Sequence, residues 1–297
     1  MTEFLRTLAL GLAGALLASV SVAAEFANPE LVRISGYSGP AQDPFPAVSD
    51  TVLLFNSHTD DRTIPAIQRW AQRVSYNQWS YKGEVAGANN PNAIQGSGNA
   101  DAQGNFYFFT NQYYPQSLNS AYRGRFDSTT GALTNIQPVL GVSRRQLGWV
   151  TMEPVPTADG KLYYGDFQLP NPGQVPNNSK LAVAAKNPDG SFTKLANSDT
   201  LLANVNAVSN VVYNGVESPD GLELVFTSLV SMPPGPVAQI YIATRSTRSA
   251  PFGVPHTIAA IDALGAVENG GFSADGKRLY FHRVISASDA RIYVATR

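Results

Sequence analysis

A short aromatic strand that recurs five times, a scarcity of charge, and Gly and Pro spread along the whole length predict an all-β chain. The architecture they imply is a β-propeller of five four-stranded blades, with the N-terminal strand closing the last blade. Charged residues make up 14% of the 297 positions, against about 25% in an average soluble domain. Hydrophobic residues account for 43%, with 25 Gly and 20 Pro, which excludes a disordered chain. The 21 basic and 22 acidic side chains leave a net charge of −1. No basic footprint of a nucleic-acid binder is present.

The first element, residues 1–24, reads as a secretory leader. Arg6 precedes the apolar run Leu8–Ala18, and Val22 and Ala24 fit cleavage before Glu25. The run falls short of the ~20 residues that a membrane span needs, and no later stretch is long and apolar enough to cross a bilayer after leader removal. Periplasmic or secreted bacterial localisation is therefore expected. The chain has no cysteine, so disulfides, thiolate metal sites and thiol nucleophiles are excluded.

Residues 25–297 form a single expected domain. Its repeating strand reads Ser49–Phe55, Ala102–Phe109, Ala158–Tyr164, Pro219–Phe226 and Ala274–Phe281, and the closing aromatics fall 54, 55, 62 and 55 residues apart. Asp-Gly before three of these strands supplies a tight-turn conformation, and the flanks are β-branched or aromatic. Each unit has a second half, clearest where Gln239–Arg245 is nearly repeated by Arg291–Arg297. About 55 residues holding four short strands make a propeller blade, which must stack on neighbours in a closed ring. Approximate blade limits are 41–92, 93–147, 148–205, 206–262, and 263–297 completed by 25–40. The last unit ends one strand short, and residues 26–35 are expected to complete it.

Phe272–Phe281 and Glu217–Phe226 resemble the Ser-Pro-Asp-Gly-Lys-x-Leu-x-Phe core of TolB-type, WD-repeat-like β-propellers, and the following Ile-Tyr-(Ile/Val)-Ala-Thr-Arg matches that family's blade ending. The resemblance implies an extracytoplasmic propeller and little about chemistry. A weaker one links Glu153–Asp166 and Asn214–Gly221 to the calcium-dependent gluconolactonase/senescence-marker propellers; it implies Glu153 and Asn214 as ligands of Ca²⁺.

Polar residues just before the Asp-Gly turns should lie on the innermost strands: Asn99, Asp101, Thr151, Glu153, Asn214, Glu217, Glu268 and Asn269. Such a ring of carboxylates and amides suits a hard cation such as Ca²⁺, or lines a solvated tunnel. Five-bladed glycosidases use three carboxylates on separate blades, which singles out Glu153, Glu217 and Glu268. Tyr76, Trp79 and Tyr81, with Tyr113 and Tyr114, are candidates for a sugar- or protein-binding surface, or for packing between blades. No nucleophile elbow, Walker motif or dinucleotide fingerprint is present. The expected function is a non-enzymatic protein- or glycan-binding scaffold without a firmly expected cofactor. The alternative is a channel-centred hydrolase, either a calcium-dependent lactonase or a five-bladed glycoside hydrolase.

Overall fold

The structure, a computed structural model, describes residues 24–57, 66–114, 116–170, 176–232 and 235–297. The expected leader, apart from Ala24, lies outside the described residues.

The second strand of each blade explains the architecture. These strands, Val52–Asn56, Asn105–Thr110, Lys161–Gln168, Glu223–Met232 and Arg278–Ser286, hold unbroken apolar or aromatic runs. Successive side chains point to opposite faces of a sheet, so each run supplies two cores. Leu53 and Phe55 pack with Tyr280, whereas Val52 and Leu54 pack with Phe106 and Phe108. Tyr107 turns the other way, toward Leu162 and Tyr164. Tyr163 joins Leu224 and Phe226, and Val225 joins Leu279 and Phe281. The sequence of shared cores returns to its start: every blade is buried on both faces, and burial of each such side chain contributes roughly 1.5–3 kcal/mol.

The strands pair as antiparallel meanders. The innermost strands are Gln42–Ala47, Gln95–Ala100, Trp149–Pro156, Val211–Glu217 and Val267–Phe272. Each contacts the inner strand of the next blade, and the fifth contacts the first. One parallel bridge, Ser179 to Val211, joins the third and fourth sheets. Helix is confined, among the described residues, to four-residue turns at Ser198–Leu201, Ala203–Asn206 and Ala259–Asp262. None of these is long or apolar enough to cross a membrane.

Closure uses the N-terminus as expected, with one refinement. Ala27–Leu31 pairs antiparallel with Asp289–Thr296 as the outer strand of the fifth blade. The chain then leaves that blade. Val32 N–H still donates to Ile292 O (2.9 Å), but Arg33 N–H donates to Asn77 O (2.9 Å). Arg33–Ser35 runs parallel to Gln78–Glu84 on the outer edge of the first blade. The crossing falls at Val32 because its side chain enters the core between those two blades. A second closure reinforces the neighbouring seam. Arg297 donates to both carboxylate oxygens of Glu223 (2.8 and 2.7 Å), and its guanidinium lies 4.3 Å from the Phe26 ring centroid.

Trp79, a candidate for the exposed aromatic surface, is buried at 1% exposure. It meets Tyr280 edge-on (centroids 6.0 Å apart) in the seam between the fifth and first blades. It is a packing residue, because the outer strand that carries it is covered by Arg33–Ser35. Tyr81 likewise packs against Tyr37 (5.1 Å).

Phe26, fully buried against Phe272 at 5.9 Å, should contribute strongly to closure. Phe26→Ala is expected to lower stability by about 3–5 kcal/mol, read as a fall in the urea midpoint of circular-dichroism unfolding curves.

Candidate active site at the propeller axis

Each inner strand breaks its pairing register once: between Gln42 and Phe45, Gly96 and Asn99, Met152 and Val155, Tyr213 and Val216, and Glu268 and Gly271. Inside each break sits one residue with a left-handed backbone: Asp43 (φ 51°), Ser97 (53°), Glu153 (53°), Asn214 (50°) and Asn269 (52°). The residue that follows is Pro44, Gly98, Pro154, Gly215 or Gly270. Glycine is needed here for space: a Cβ on Gly98 would lie 2.7 Å from the Phe106 ring, and one on Gly270 2.7 Å from Val225 Cγ1. Bulges of this kind re-aim a side chain that regular pleating would send elsewhere.

The re-aimed groups meet across the blades. Asn269 Nδ2 donates to Asp43 Oδ1, and Asn56 Nδ2 approaches Asp43 Oδ2 at 3.5 Å. Asp43 N–H donates to Nδ1 of the buried His282 (3.3 Å). Asn214 N–H donates to Glu153 Oε2, and Asn269 N–H to Thr227 Oγ1 (2.9 Å). Asn99 Nδ2 donates to Ser97 O (2.7 Å) and Pro154 O (3.4 Å). Tyr213 OH donates to Glu268 Oε2 (2.9 Å).

Electrostatics links blades that are not neighbours. Burial pushes the Glu153 carboxyl well above the usual carboxylate range; the negative charges of Asp43 and Glu268 add to the rise, and the Asn214 N–H works against it. Asp43 belongs to the first blade, Glu153 to the third and Glu268 to the fifth, so the first two interact across the ring rather than through a shared seam. Carboxylates from the first, third and fifth blades therefore act on one another at the inner strands. Tyr213 stays a neutral donor, because burial and the charges of Glu268 and Glu153 raise its phenol. Asn214 Oδ1 and Asn269 Oδ1 are buried without a hydrogen-bond partner.

Of the candidates read from sequence, Glu153, Asn214, Glu268, Asn269 and Asn99 are brought together here. Glu217 is not: it turns into the seam between the third and fourth blades, where Tyr163 OH (2.8 Å) and Arg245 Nη2 (2.7 Å) donate to it. Burial raises its carboxyl, and those two donors oppose the rise. Asp101 caps its turn, accepting from Gln103 N–H and Asn105 N–H (2.9 Å each). Thr151 is engaged with Ser120 at the seam between the second and third blades. Tyr76 donates to Glu30 (2.9 Å) and Tyr114 accepts from Gly148 N–H (2.9 Å), while Tyr113 stands 46% exposed. Glu153 and Asn214, the candidate Ca²⁺ ligands, are neighbours, yet no cluster of three or more His, Cys, Asp or Glu side chains suited to a metal ion occurs among the described residues. Asp43, Ser97 and Tyr213 are members of the site that the sequence reading missed. A signal for the first two exists: a polar residue followed by Pro or Gly recurs at 43, 97, 153, 214 and 269, in step with the aromatic repeat.

No protein-family model matches the chain, and no curated protein does. Solved structures share its propeller fold. Zg3597, a family 117 glycoside hydrolase from Zobellia galactanivorans, is 13% identical with a TM-score of 0.57, covering 91% of this chain and 90% of that one. An endo-arabinase from Bacteroides thetaiotaomicron is 11% identical with a TM-score of 0.53, covering 90% and 98%. TolB from Acinetobacter baumannii, at 16% identity, gives 0.43 and matches over 87% of this chain but 55% of its own. At these identities the likeness concerns the fold alone.

The raised Glu153 carboxyl carries a stability consequence. As pH rises past the ordinary value of 4.5, the unfolded chain releases this proton while the folded chain keeps it, so folding stability falls with pH until the folded group ionises too. Glu153→Gln removes that loss and retains an acceptor for Asn214 N–H. The melting-temperature gain of the variant over wild type is expected to be larger near pH 8 than near pH 4, measured by differential scanning calorimetry.

Proposed function

We propose that the axial carboxylates hydrolyse glycosidic bonds. The observation that carries this reading is one buried carboxyl, Glu153, whose proton affinity burial and neighbouring negative charge raise well above the usual carboxylate range, beside two further carboxylates from other blades. Carboxyl groups whose environments drive their proton affinities apart are suited to acid and base roles. Glu153 is the general acid, giving its proton to the glycosidic oxygen as the bond to the anomeric carbon breaks. Asp43, oriented by Asn269 and Asn56, takes the proton of the attacking water. Glu268, fixed by Tyr213, supplies the charge that helps keep the acid loaded. The fold shared with a family 117 glycoside hydrolase and an endo-arabinase supports the class of substrate without naming a sugar. The leader expected at 1–24 would direct this activity outside the cytoplasm.

The reading replaces the non-enzymatic scaffold as first expectation, because a scaffold gives no reason to bury one carboxyl, Glu153, against the charges of two others. Screening the protein against p-nitrophenyl glycosides and plant and algal polysaccharides should reveal hydrolysis of at least one. Glu153→Gln should then lower kcat on the polysaccharide by roughly 10²–10⁴-fold, with a smaller loss on nitrophenyl substrates, whose leaving group needs little protonation. Asp43→Asn should lower both. Absence of hydrolysis across the panel, or wild-type rates in both variants, would leave the scaffold reading in its place.

A further inference from the structure

A cavity of about 650 Å³ opens at the outer part of the seam between the first and second blades. Its walls come from the second, third and outermost strands of the second blade, from the loop after Thr110, and from Gly87 and Ala88 on the connection between the blades. No inner strand contributes among its described lining, so it is separate from the axial site. Its volume falls within the roughly 300–1,000 Å³ of small-molecule sites.

The lining has a consistent chemistry. Tyr113 and Ile136 remain 46% and 39% exposed, large apolar surfaces presented to the same space, with Phe108 and Tyr122 behind them. Gln112, Gln116 and Ser117 add amide and hydroxyl groups. Among the described residues, no Asp, Glu, Lys, Arg or His lines the cavity, whereas the smaller cavity of about 400 Å³ beside Trp70 includes Lys82. An ion entering would lose hydration with no opposite charge to replace it. A ligand matching this surface is uncharged, flat and apolar on one face, and rimmed with hydroxyls.

The wall is also built in advance. The Tyr113 ring rests on the buried Tyr122 (centroids 5.5 Å apart). Tyr113 O accepts from Ser117 N–H (3.0 Å) and from Ser117 Oγ (3.1 Å), Tyr114 N–H donates to Asn111 O (3.0 Å), and Gln112 N–H donates to Thr110 Oγ1 (3.2 Å). An exposed aromatic ring fixed by its own loop spares the ordering cost that binding otherwise carries.

We infer that this cavity is a binding site for neutral oligosaccharide chains, with Tyr113 as the stacking platform and Gln112 and Gln116 as hydroxyl partners. The inference is independent of whether the axis is catalytic.

The test is native affinity electrophoresis of the full-length protein in gels containing arabinan, arabinoxylan, mixed-linkage β-glucan or mannan, with polygalacturonate as the charged counterpart. At least one neutral polysaccharide should retard wild type. That retardation should be lost in Tyr113→Ala, weakened in Gln112→Ala, and kept in Tyr113→Phe and in Glu153→Gln. Thermal melts of the variants control for folding, and Gln112→Ala, on an exposed side chain, reports independently if Tyr113→Ala is destabilised. Retardation by no neutral polysaccharide, equal retardation of wild type, Tyr113→Ala and Gln112→Ala, or a preference for polygalacturonate would overturn the inference. Loss in Glu153→Gln alone would move binding to the axis, overturning this site while leaving the hydrolase reading intact.

Discussion

A sheet with two apolar faces is stable only when both are covered, and every blade of this protein is such a sheet. The ring must therefore close, and the remaining structure depends on that closure. The last seam is made from the two ends of the chain: Ala27–Leu31 adds the missing strand, and Phe26 enters the core beside Phe272. Arg297 ties the terminal strand to Glu223 of the preceding blade. The segment then crosses at Val32 to edge the first blade, so one short stretch of chain holds both sides of the junction.

Closure brings five inner strands together where apolar side chains would have no sheet to pack against. The bulges place polar groups there instead, through a left-handed backbone that non-glycine residues seldom adopt and that costs of order 1–3 kcal/mol each. Such a conformation survives only where the surroundings impose it. Here the seams impose it: Gly98 and Gly270 lie too close to Phe106 and Val225 for a side chain to fit. The resulting cluster of oriented amides holds Glu153 buried and close to negative charge. The raised proton affinity of Glu153 is thus a product of fold closure, not of any local motif.

The propeller was legible in the sequence because its determinants are local. Asp-Gly turns, apolar runs and their spacing are properties of a few adjacent residues, and the unbroken runs already imply burial on both faces. The site was legible in part. Glu153, Asn214, Glu268 and Asn269 stand before the turns and do reach the axis, yet Glu217 carries the same signal and points into a seam toward Tyr163 and Arg245. Asn214 sits inside the bulge, whereas Glu217 follows it in regular pairing with Leu224. Asp43 escaped because Gln42–Ala47 contains two prolines and precedes the first clear aromatic strand, so it has little strand character of its own. Trp79 looked like a surface aromatic because only its distant partner, Arg33–Ser35, covers its strand.

By itself the sequence determined that the chain is all-β, that about 55 residues make one unit, and that its N-terminus must complete the last unit; alternation, turn chemistry and self-similarity act over short distances and can be read in order. Which polar groups share the axis was decided only by the tertiary structure. A one-residue slip in register sends a side chain to the opposite face, and the charges on Asp43, Glu153 and Glu268 act on one another only after blades far apart in sequence have been brought around a closed ring.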